Sequence, residues 1–274
     1  MSGAPLAGQA RRKARQRFSG AIGVRKRNFL ALLAAWYNLS AMSVPRQLIA
    51  LGGGGFSMED NPALDQYVLA QSPAEEPAVA FIPTASGDAE GYIERFYAAF
   101  SELPCRPSHL SLFSRTPDLR ELLAQDILYV GGGNTKTMLG VWREWGLPEV
   151  LREAWASGVI LAGISAGAVC WFEQALSDAF AAALRPIECL GFLAGSCCPH
   201  YDGDPERRPA YHEMQRSGDL LPGLAIDDGV AVHFINDEIH RVVASRPGAT
   251  AYRVGKQEGT VREQALPVEF LGSR

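Results

Sequence analysis

Short apolar runs recur along this sequence, with longer amphipathic stretches between them. The runs are residues 48–51, 78–82, 127–130 and 159–162. The stretches that carry apolar residues at helical spacing are residues 64–70, 90–100, 135–145 and 148–156. Strands that are apolar on both faces and alternate with helices form parallel sheets covered on each side. The pattern therefore predicts an α/β fold with a doubly wound, mostly parallel sheet.

The pattern changes after residue 221. Residues 230–235, 239–244 and 249–254 are short β-rich runs joined by turn residues at 236–237 and 246–248, with no helical stretch between them. We expect antiparallel strands at one edge of the sheet.

Composition predicts one main domain preceded by a basic extension. The chain has 274 residues, of which 47% are hydrophobic and 20% charged, enough for one substantial core. Eight of the 26 Lys and Arg residues fall in residues 1–41, which contain no Asp or Glu, so the rest has 18 basic against 30 acidic residues. We expect residues 1–41 to be disordered or absent from the native protein, a targeting segment being the alternative, and residues 42–274 to form a single α/β domain.

The acidic body argues against nucleic acid as a partner, because phosphate binding requires clustered cations.

The cysteines predict neither a metal site nor a disulfide framework. They are odd in number and contain no C-x-x-C pair: Cys105, Cys170, Cys189, Cys197 and Cys198. Reduced, buried thiols in a cytoplasmic protein are the expected state.

The run at residues 159–162 leads into a candidate nucleophile. Gly163-Ile-Ser-Ala-Gly167 satisfies G-x-S-x-G, in which small residues allow the sharp strand-to-helix turn that exposes a serine. There the N–H of Ala166 can stabilise an oxyanion formed when Ser165 attacks a carbonyl. The alternative is an ordinary turn in which Ser165 caps a helix.

Two glycine-rich loops follow strands. Residues 52–55 lack the G-x-G-x-x-G spacing of a dinucleotide site, which would need glycine at position 57 or 58. Residues 131–133 precede Asn134 and Thr135 and open a helix, so their amides can face the same pocket as Ser165. The alternative is a turn in which Asn134 or Thr135 only caps the helix.

A serine nucleophile needs a base and an orienting acid. His200 is the preferred base because it follows Pro199 and precedes a turn-rich loop, whereas His109, His212, His233 and His240 have the settings of structural residues. The candidate acids are Asp202, Asp204, Asp227 and Asp228. Asp228 ends a strand-like segment before a glycine turn and can project from the strand end. The order Ser165, Asp202, His233, as in α/β-hydrolases, is the second choice.

Four motifs occur in order, namely Gly131-Gly-Gly-Asn-Thr135, Gly163-Ile-Ser-Ala-Gly-Ala168, Pro199-His200 and Ile226-Asp-Asp-Gly229. With them the chain resembles the peptidase E family of serine dipeptidases from about Val44 onward. The resemblance implies the flavodoxin-like fold of class I glutamine amidotransferases, with Ser165 as nucleophile, His200 as base and Asp228 as orienting acid. Relatives often carry Glu at this last position, and Asp227 is the alternative here. The implied oxyanion donors are the amides of Ala166 and of Gly132 or Gly133.

The same resemblance implies the substrate. The best-known family members cleave dipeptides with an N-terminal aspartate, and an arginine can bind that carboxylate bidentately. The resemblance therefore implies Asn134, Arg207 and Arg208 as substrate-binding residues, since the two arginines occupy the region where the family places such an arginine. The alternatives are a cyanophycinase-like hydrolase and a noncatalytic small-molecule binding module. We expect a cytoplasmic enzyme without cofactor or metal, whose partner is a small peptide rather than a membrane, with a homodimer as the candidate assembly state.

Overall fold

The computed structural model describes residues 44–115, 117–181 and 183–272, so the predicted extension over residues 1–41 lies outside the described residues. The helices are α1 (Gly55–Met58), α2 (Ala63–Leu69), α3 (Glu90–Phe100), α4 (Thr135–Trp145), α5 (Leu147–Ala156), α6 (Ala166–Val169) and α7 (Arg207–Ser217), with 3₁₀ turns at Thr84–Ser86 and Leu119–Ala124. The strands are β1 (Gln47–Leu51), β2 (Ala78–Ile82), β3 (Arg106–His109), β4 (Ile127–Val130), β5 (Ile160–Ile164), β6 (Phe172–Ser177), β7 (Arg185–Glu188), β8 (Leu193–Cys198), β9 (Gly223–Ile226), β10 (Val230–Ile235), β11 (Glu238–Ala244), β12 (Ala251–Gln257), β13 (Thr260–Ala265) and β14 (Glu269–Phe270).

The main sheet has the order β14-β11-β10-β1-β5-β4-β2-β3. Strands β1, β5, β4, β2 and β3 are parallel to one another, and all four predicted apolar runs lie among them. Strands β10 and β11 are antiparallel and extend the sheet beyond β1. The predicted α/β class and the antiparallel pair beside the parallel strands are therefore confirmed.

Helices cover both faces of this sheet because its central strands are apolar throughout. In β1, Leu48 and Ala50 pack into one cluster, with residues of α4 and α5, while Ile49 and Leu51 pack into another, with residues of α2 and α3. Each strand residue thus contributes to one of two helix-covered cores, as expected for parallel strands buried on both faces. This arrangement is the doubly wound sheet that the alternating pattern predicts.

A second sheet, with the order β13-β12-β9-β8-β6-β7, was not predicted. Strand β12 belongs to it, pairing with β9 and β13. The prediction that residues 249–254 join the edge of the main sheet is therefore wrong. Strands β8 and β9 are parallel neighbours in this sheet.

The order of the strands brings five loops to one place. Strand β5 lies between β1 and β4, so the segments that follow these three strands meet at one edge of the main sheet. His200 follows β8 and Asp228 follows β9, and an isolated bridge between Gly53 and Asp228 joins this part of the second sheet to the loop after β1.

Among the described residues, no helix is long and apolar enough to cross a membrane.

Candidate active site

Ser165 lies in a strained turn between β5 and α6. Its backbone has φ 55° and ψ −114°, a combination that a residue with a side chain rarely adopts. The turn is tight on both sides: a Cβ on Gly163 would overlap the carbonyl oxygen of Gly167, and a Cβ on Gly167 would overlap that of Val130. The amide of Ser165 donates to the carbonyl oxygen of Leu51 (3.0 Å), which holds the turn against β1. The glycines thus have the steric role expected of a G-x-S-x-G turn.

His200 reaches Ser165 from the loop after β8. Its Nε2 lies 2.8 Å from Ser165 Oγ. The backbone of His200 is left-handed, with φ 51°, and its amide donates to the carbonyl oxygen of Gly52 (3.2 Å). The glycine loop at residues 52–55, which lacks the spacing of a dinucleotide site, therefore helps to position the backbone of His200.

Asp228 lies on the other side of the imidazole, with Oδ1 2.6 Å from His200 Nδ1. A carboxylate accepts from Nδ1–H, which leaves Nε2 to accept the hydroxyl proton of Ser165. Glycines flank the carboxylate, since a Cβ on Gly53 or Gly203 would overlap its oxygens.

The backbone of Asp228 is also held on both sides. Its amide donates to Asp202 Oδ1 (2.9 Å), and its carbonyl oxygen accepts from Arg246 Nη2 (3.0 Å). Arg246 Nη2 contacts Asp202 Oδ2 as well. Asp202, one of the alternative acids, thus orients the peptide of Asp228.

The other candidates from the sequence have different partners. Asp227 is buried and accepts from the amide of Thr250 (3.0 Å), and burial raises its pKa. Both ring nitrogens of His233 are engaged, Nδ1 with Tyr67 Oη (2.9 Å) and Nε2 with Gln47 Oε1 (3.1 Å). Burial lowers the pKa of His233 to about 4. The structure therefore does not bring Ser165, Asp202 and His233 together.

Two of the three candidate oxyanion amides have no hydrogen-bond acceptor among the described residues, those of Ala166 and Gly133. The third, Gly132, donates to Tyr92 Oη (3.2 Å). The Tyr92 hydroxyl itself donates to Ser57 Oγ (2.9 Å). Of these two glycine amides, that of Gly133 is therefore the more available to a ligand.

A cavity of about 410 Å³ opens beside Ser165 Oγ. Its lining comprises Ser57, Met58, Ser86, Gly91, Tyr92, Arg95, Gly132, Gly133, Ile164, Ser165 and His200. These residues come from α1, from the 3₁₀ turn at Thr84–Ser86, from α3, from the loops after β4 and β8, and from the end of β5 with the turn after it. Such a volume, open to solvent, suits a small peptide.

The residues expected to bind substrate do not line this cavity. The side chain of Asn134 caps α4 by accepting from the amide of Thr137 (2.9 Å), as the alternative interpretation held. Arg207 is buried against Asp178 (2.8 Å) and Asp204 (3.3 Å). These contacts do not favour a role of Asn134 or Arg207 in substrate binding, which stays an untested prediction.

Arg208 is equally committed elsewhere. Its guanidinium pairs with Glu263 and lies over the rings of Tyr201 (5.1 Å) and Tyr252 (5.3 Å). The arginine in the cavity is instead Arg95.

Sequence reasoning missed Arg95, Tyr92 and Gly53. The available signal was the helical pattern over residues 90–100, in which Gly91, Tyr92 and Arg95 share one face, but the pattern does not say what that face meets. For Gly53, the signal was a glycine loop following a strand at the same sheet edge as the serine turn.

A buried carboxyl lies behind the first glycine loop. Asp65 Oδ2 accepts from the amide of Phe56 (2.6 Å) and Oδ1 accepts from Tyr129 Oη (3.1 Å). Burial raises the pKa of Asp65 to about 7, despite these hydrogen bonds. Asp65 thus anchors α1, whose last residues line the cavity.

Known proteins share this sequence and fold. The model of peptidase family S51 matches residues 48–242. The chain is 56% identical over 230 residues to the uncharacterized peptidase YgaJ of Bacillus subtilis strain 168, covering 83% of this chain and 100% of that protein. A crystal structure of a peptidase from an acI-B1 Actinobacterium aligns with TM-score 0.64 and 20% identity, over 82% of this chain and 96% of the other.

A putative peptidase E protein from Listeria monocytogenes EGD-e aligns with TM-score 0.53 and 21% identity, over 74% of this chain and 98% of the other. These two structures share the fold, and the resemblance to the peptidase E family is confirmed. The match to the family model spans most of the chain, and this protein therefore belongs to peptidase family S51.

Proposed function

We propose that this peptidase is a serine hydrolase that cleaves small peptides through Ser165, His200 and Asp228. The observation that carries the proposal is the continuous chain of contacts from Asp228 Oδ1 to His200 (2.6 Å) and from His200 to Ser165 Oγ (2.8 Å). A nucleophile, a base within hydrogen-bond reach and a group that orients the base are the parts that acyl transfer requires. The strained turn at Ser165 and the amides beside it support the same assignment.

In the proposed reaction, Ser165 Oγ attacks the peptide carbonyl carbon while its proton passes to His200 Nε2. The carbonyl oxygen takes the electron pair and accepts from the amides of Ala166 and Gly133. The C–N bond then breaks, and His200 returns the proton to the leaving amine. Water attacks the resulting ester with His200 again as base, which releases the acid and restores Ser165.

Asp228 fixes which nitrogen of His200 carries the proton and stabilises the imidazolium that forms during attack. Its carboxylate is only 21% exposed, so solvent weakens this interaction less than at an open surface. Asp202 binds the backbone amide of Asp228 and Arg246 binds its carbonyl oxygen, and these two contacts orient the Asp228 carboxylate toward His200.

The preferred substrates in this proposal are dipeptides with an N-terminal aspartate. Support comes from the resemblance to the peptidase E family and from the presence of an arginine in the cavity of an otherwise acidic protein. We propose that the enzyme acts in the cytoplasm, consistent with five cysteines that are all unpaired.

The first test compares the wild type with Ser165→Ala on a panel of Asp-Xaa, Glu-Xaa and neutral dipeptides. We expect the rate of hydrolysis to fall by ~10⁴-fold or more with the fold intact, because removing the nucleophile of such a unit removes most of the catalysis. Ser86→Ala is the matched control, since Ser86 lines the same cavity but its hydroxyl donates to the carbonyl oxygen of Pro83 (2.8 Å).

A fluorophosphonate probe followed by peptide mapping provides a second readout. We expect the label on Ser165 in the wild type and in Ser86→Ala, and no label in Ser165→Ala. A Ser165→Ala protein that keeps more than a tenth of the activity would rule out Ser165 as the nucleophile. A wild type that neither hydrolyses peptides nor takes up the label would favour a noncatalytic binding module.

A further inference from the structure

Helix α3 presents a polar face to the cavity beside Ser165. Gly91, Tyr92 and Arg95 all line that cavity, and their spacing of one helical turn puts them on one side of α3. The adjoining side is apolar: Phe96, one turn after Tyr92, and Phe100 are buried in the core. Their packing against the sheet sets which side of α3 lies toward the cavity.

The guanidinium of Arg95 is held in place without being neutralised. Its Nη1 donates to the carbonyl oxygen of Ser57 in the neighbouring helix α1 (2.9 Å). No carboxylate among the described residues lies within ion-pair distance of it. Because a guanidinium carries five N–H donors, donors remain for a ligand.

The lining of the cavity makes this charge distinctive. Arg95 is the single charged side chain among the described lining residues, His200 aside, and no Asp or Glu is among them. An anion that enters the cavity therefore meets one cation in its lining, whereas Glu59 and Asp60 line a neighbouring cavity that also borders Arg95. Arg207 and Arg208 differ, since each is paired with carboxylates outside the cavity.

We propose that Arg95 binds a carboxylate of the peptide substrate and is the specificity-determining residue of this site, an assignment that rests on the peptidase function proposed above. A planar guanidinium tethered at one nitrogen still offers a pair of donors to the two oxygens of a carboxylate. In a protein body with more acidic than basic residues, this local cation also offsets the repulsion of an anionic substrate. The carboxylate is either the side chain of the acyl residue or the C-terminal group of a dipeptide.

The experiment uses matched substrates to separate these two sources. Asp-Leu and Asn-Leu differ in the charge of the acyl side chain, whereas Asp-Leu and Asp-Leu-amide differ in the C-terminal charge. In Arg95→Met we expect kcat/KM for the charged member of one pair to fall by about tenfold to 100-fold, the range expected for losing a charge-assisted hydrogen bond. The neutral member of that pair should change by less than about twofold, and Arg95→Lys should restore part of the loss.

Arg106→Met is the control, because this arginine is exposed and also donates to a backbone carbonyl oxygen, that of Glu76 (3.3 Å), but does not line the cavity. The ratio of rates within each substrate pair should stay at the wild-type value in this variant. An Arg95→Met enzyme whose rate ratios also equal those of the wild type would overturn the proposal, while leaving the serine mechanism intact.

A binding measurement separates failure of this proposal from failure of the proposed function. Titration calorimetry of Asp-Leu, Asn-Leu and Asp-Leu-amide with Ser165→Ala, and with Ser165→Ala combined with Arg95→Met, requires no turnover. We expect Arg95→Met to raise the dissociation constant of the charged peptide in one of the two substrate pairs by about tenfold. If the wild type hydrolyses no peptide, the proposed function fails but this titration still decides whether Arg95 binds a carboxylate; equal affinities in the two proteins would reject it.

Discussion

Gly53→Ala should inactivate the enzyme by displacing the contact between Asp228 and His200. The φ angle of Gly53 is not in the left-handed region, so alanine can adopt its backbone conformation. The added methyl group has no space, however: it would overlap Asp228 Oδ1 and lie 2.9 Å from His200 Nδ1. The change thus adds one carbon atom beside the bond that orients the base.

The size of the effect follows from these distances. Carbon atoms make normal van der Waals contacts with heavy atoms at ~3.5 Å or more, so the carboxylate oxygen must move by roughly 1.6 Å and the imidazole by roughly 0.6 Å. A misplacement of about 1 Å in a catalytic group costs about 100-fold in rate. Overpacking at one buried position should lower the unfolding free energy by ~1–3 kcal/mol, which a folded domain of this size tolerates.

The assay compares kcat/KM for a dipeptide that the wild type cleaves, the rate of fluorophosphonate labelling at Ser165, and the melting temperature. Gly140→Ala is the matched control, because Gly140 lies inside α4 and an added Cβ meets nothing within 4 Å. That variant should be as active as the wild type and more stable by ~1 kcal/mol, since alanine is favoured over glycine in a helix. Both variants add one methyl group, so only the position differs.

Activity within about threefold of the wild type in folded Gly53→Ala would contradict this prediction. It would mean that the contact between Asp228 and His200 contributes little, or that the loop after β1 shifts without strain. Replacement by serine at the same position offers a second probe if alanine is tolerated, because the larger group displaces the carboxylate further.

Two further predictions concern the groups that surround the site. Tyr92→Phe should lower the unfolding free energy in urea denaturation by ~1–3 kcal/mol, because the amide of Gly132 loses its buried acceptor; an unchanged value would contradict the observed contact. Asp65 has a pKa of about 7 in the folded chain and an ordinary pKa of about 4 in the unfolded chain. Between about pH 4 and about pH 7 the unfolded chain therefore binds fewer protons than the folded chain, and the unfolding free energy falls as pH rises through this range. The unfolding free energy of the wild type relative to Asp65→Asn should therefore fall by on the order of 3 kcal/mol from pH 5 to pH 8, and pH curves that run parallel for the two proteins would show that Asp65 does not titrate in this range.

The parts of the site that follow local rules could be predicted from the sequence. The turn at Ser165 depends on Gly163 and Gly167, whose spacing within five residues is visible in the chain. The parallel strands were equally accessible, because burial on both faces leaves an apolar run of characteristic length.

The choice between Asp227 and Asp228 could not be made from the sequence. The two residues are adjacent and chemically identical, and only the path of the chain after β9 turns Asp228 toward His200 and Asp227 toward Thr250. The resemblance to the peptidase E family favoured Asp228, which the contacts support.

Features that depend on contacts distant in the chain were not predictable. Strand β12 joins the second sheet because β9 and β13 pair with it. The sequence of residues 249–254 predicts a strand but does not indicate to which sheet it belongs. Arg95 is 70 residues from Ser165 in the chain, and its approach to the serine depends on how α3 packs. A pair of arginines close to His200 in sequence was therefore a poor guide to which arginine is close in space.

The division of the proposed triad between two sheets has a structural consequence. Ser165 follows a strand of the first sheet, whereas His200 and Asp228 follow neighbouring strands of the second. The loop after β1 ties the two sheets together at this point, since Gly52 accepts from the amide of His200 and Gly53 forms a bridge with Asp228. A change in this loop would therefore displace His200 and Asp228 together relative to Ser165, so the spacing between the proposed nucleophile and base depends on residues that contact neither of the two substrate-facing atoms.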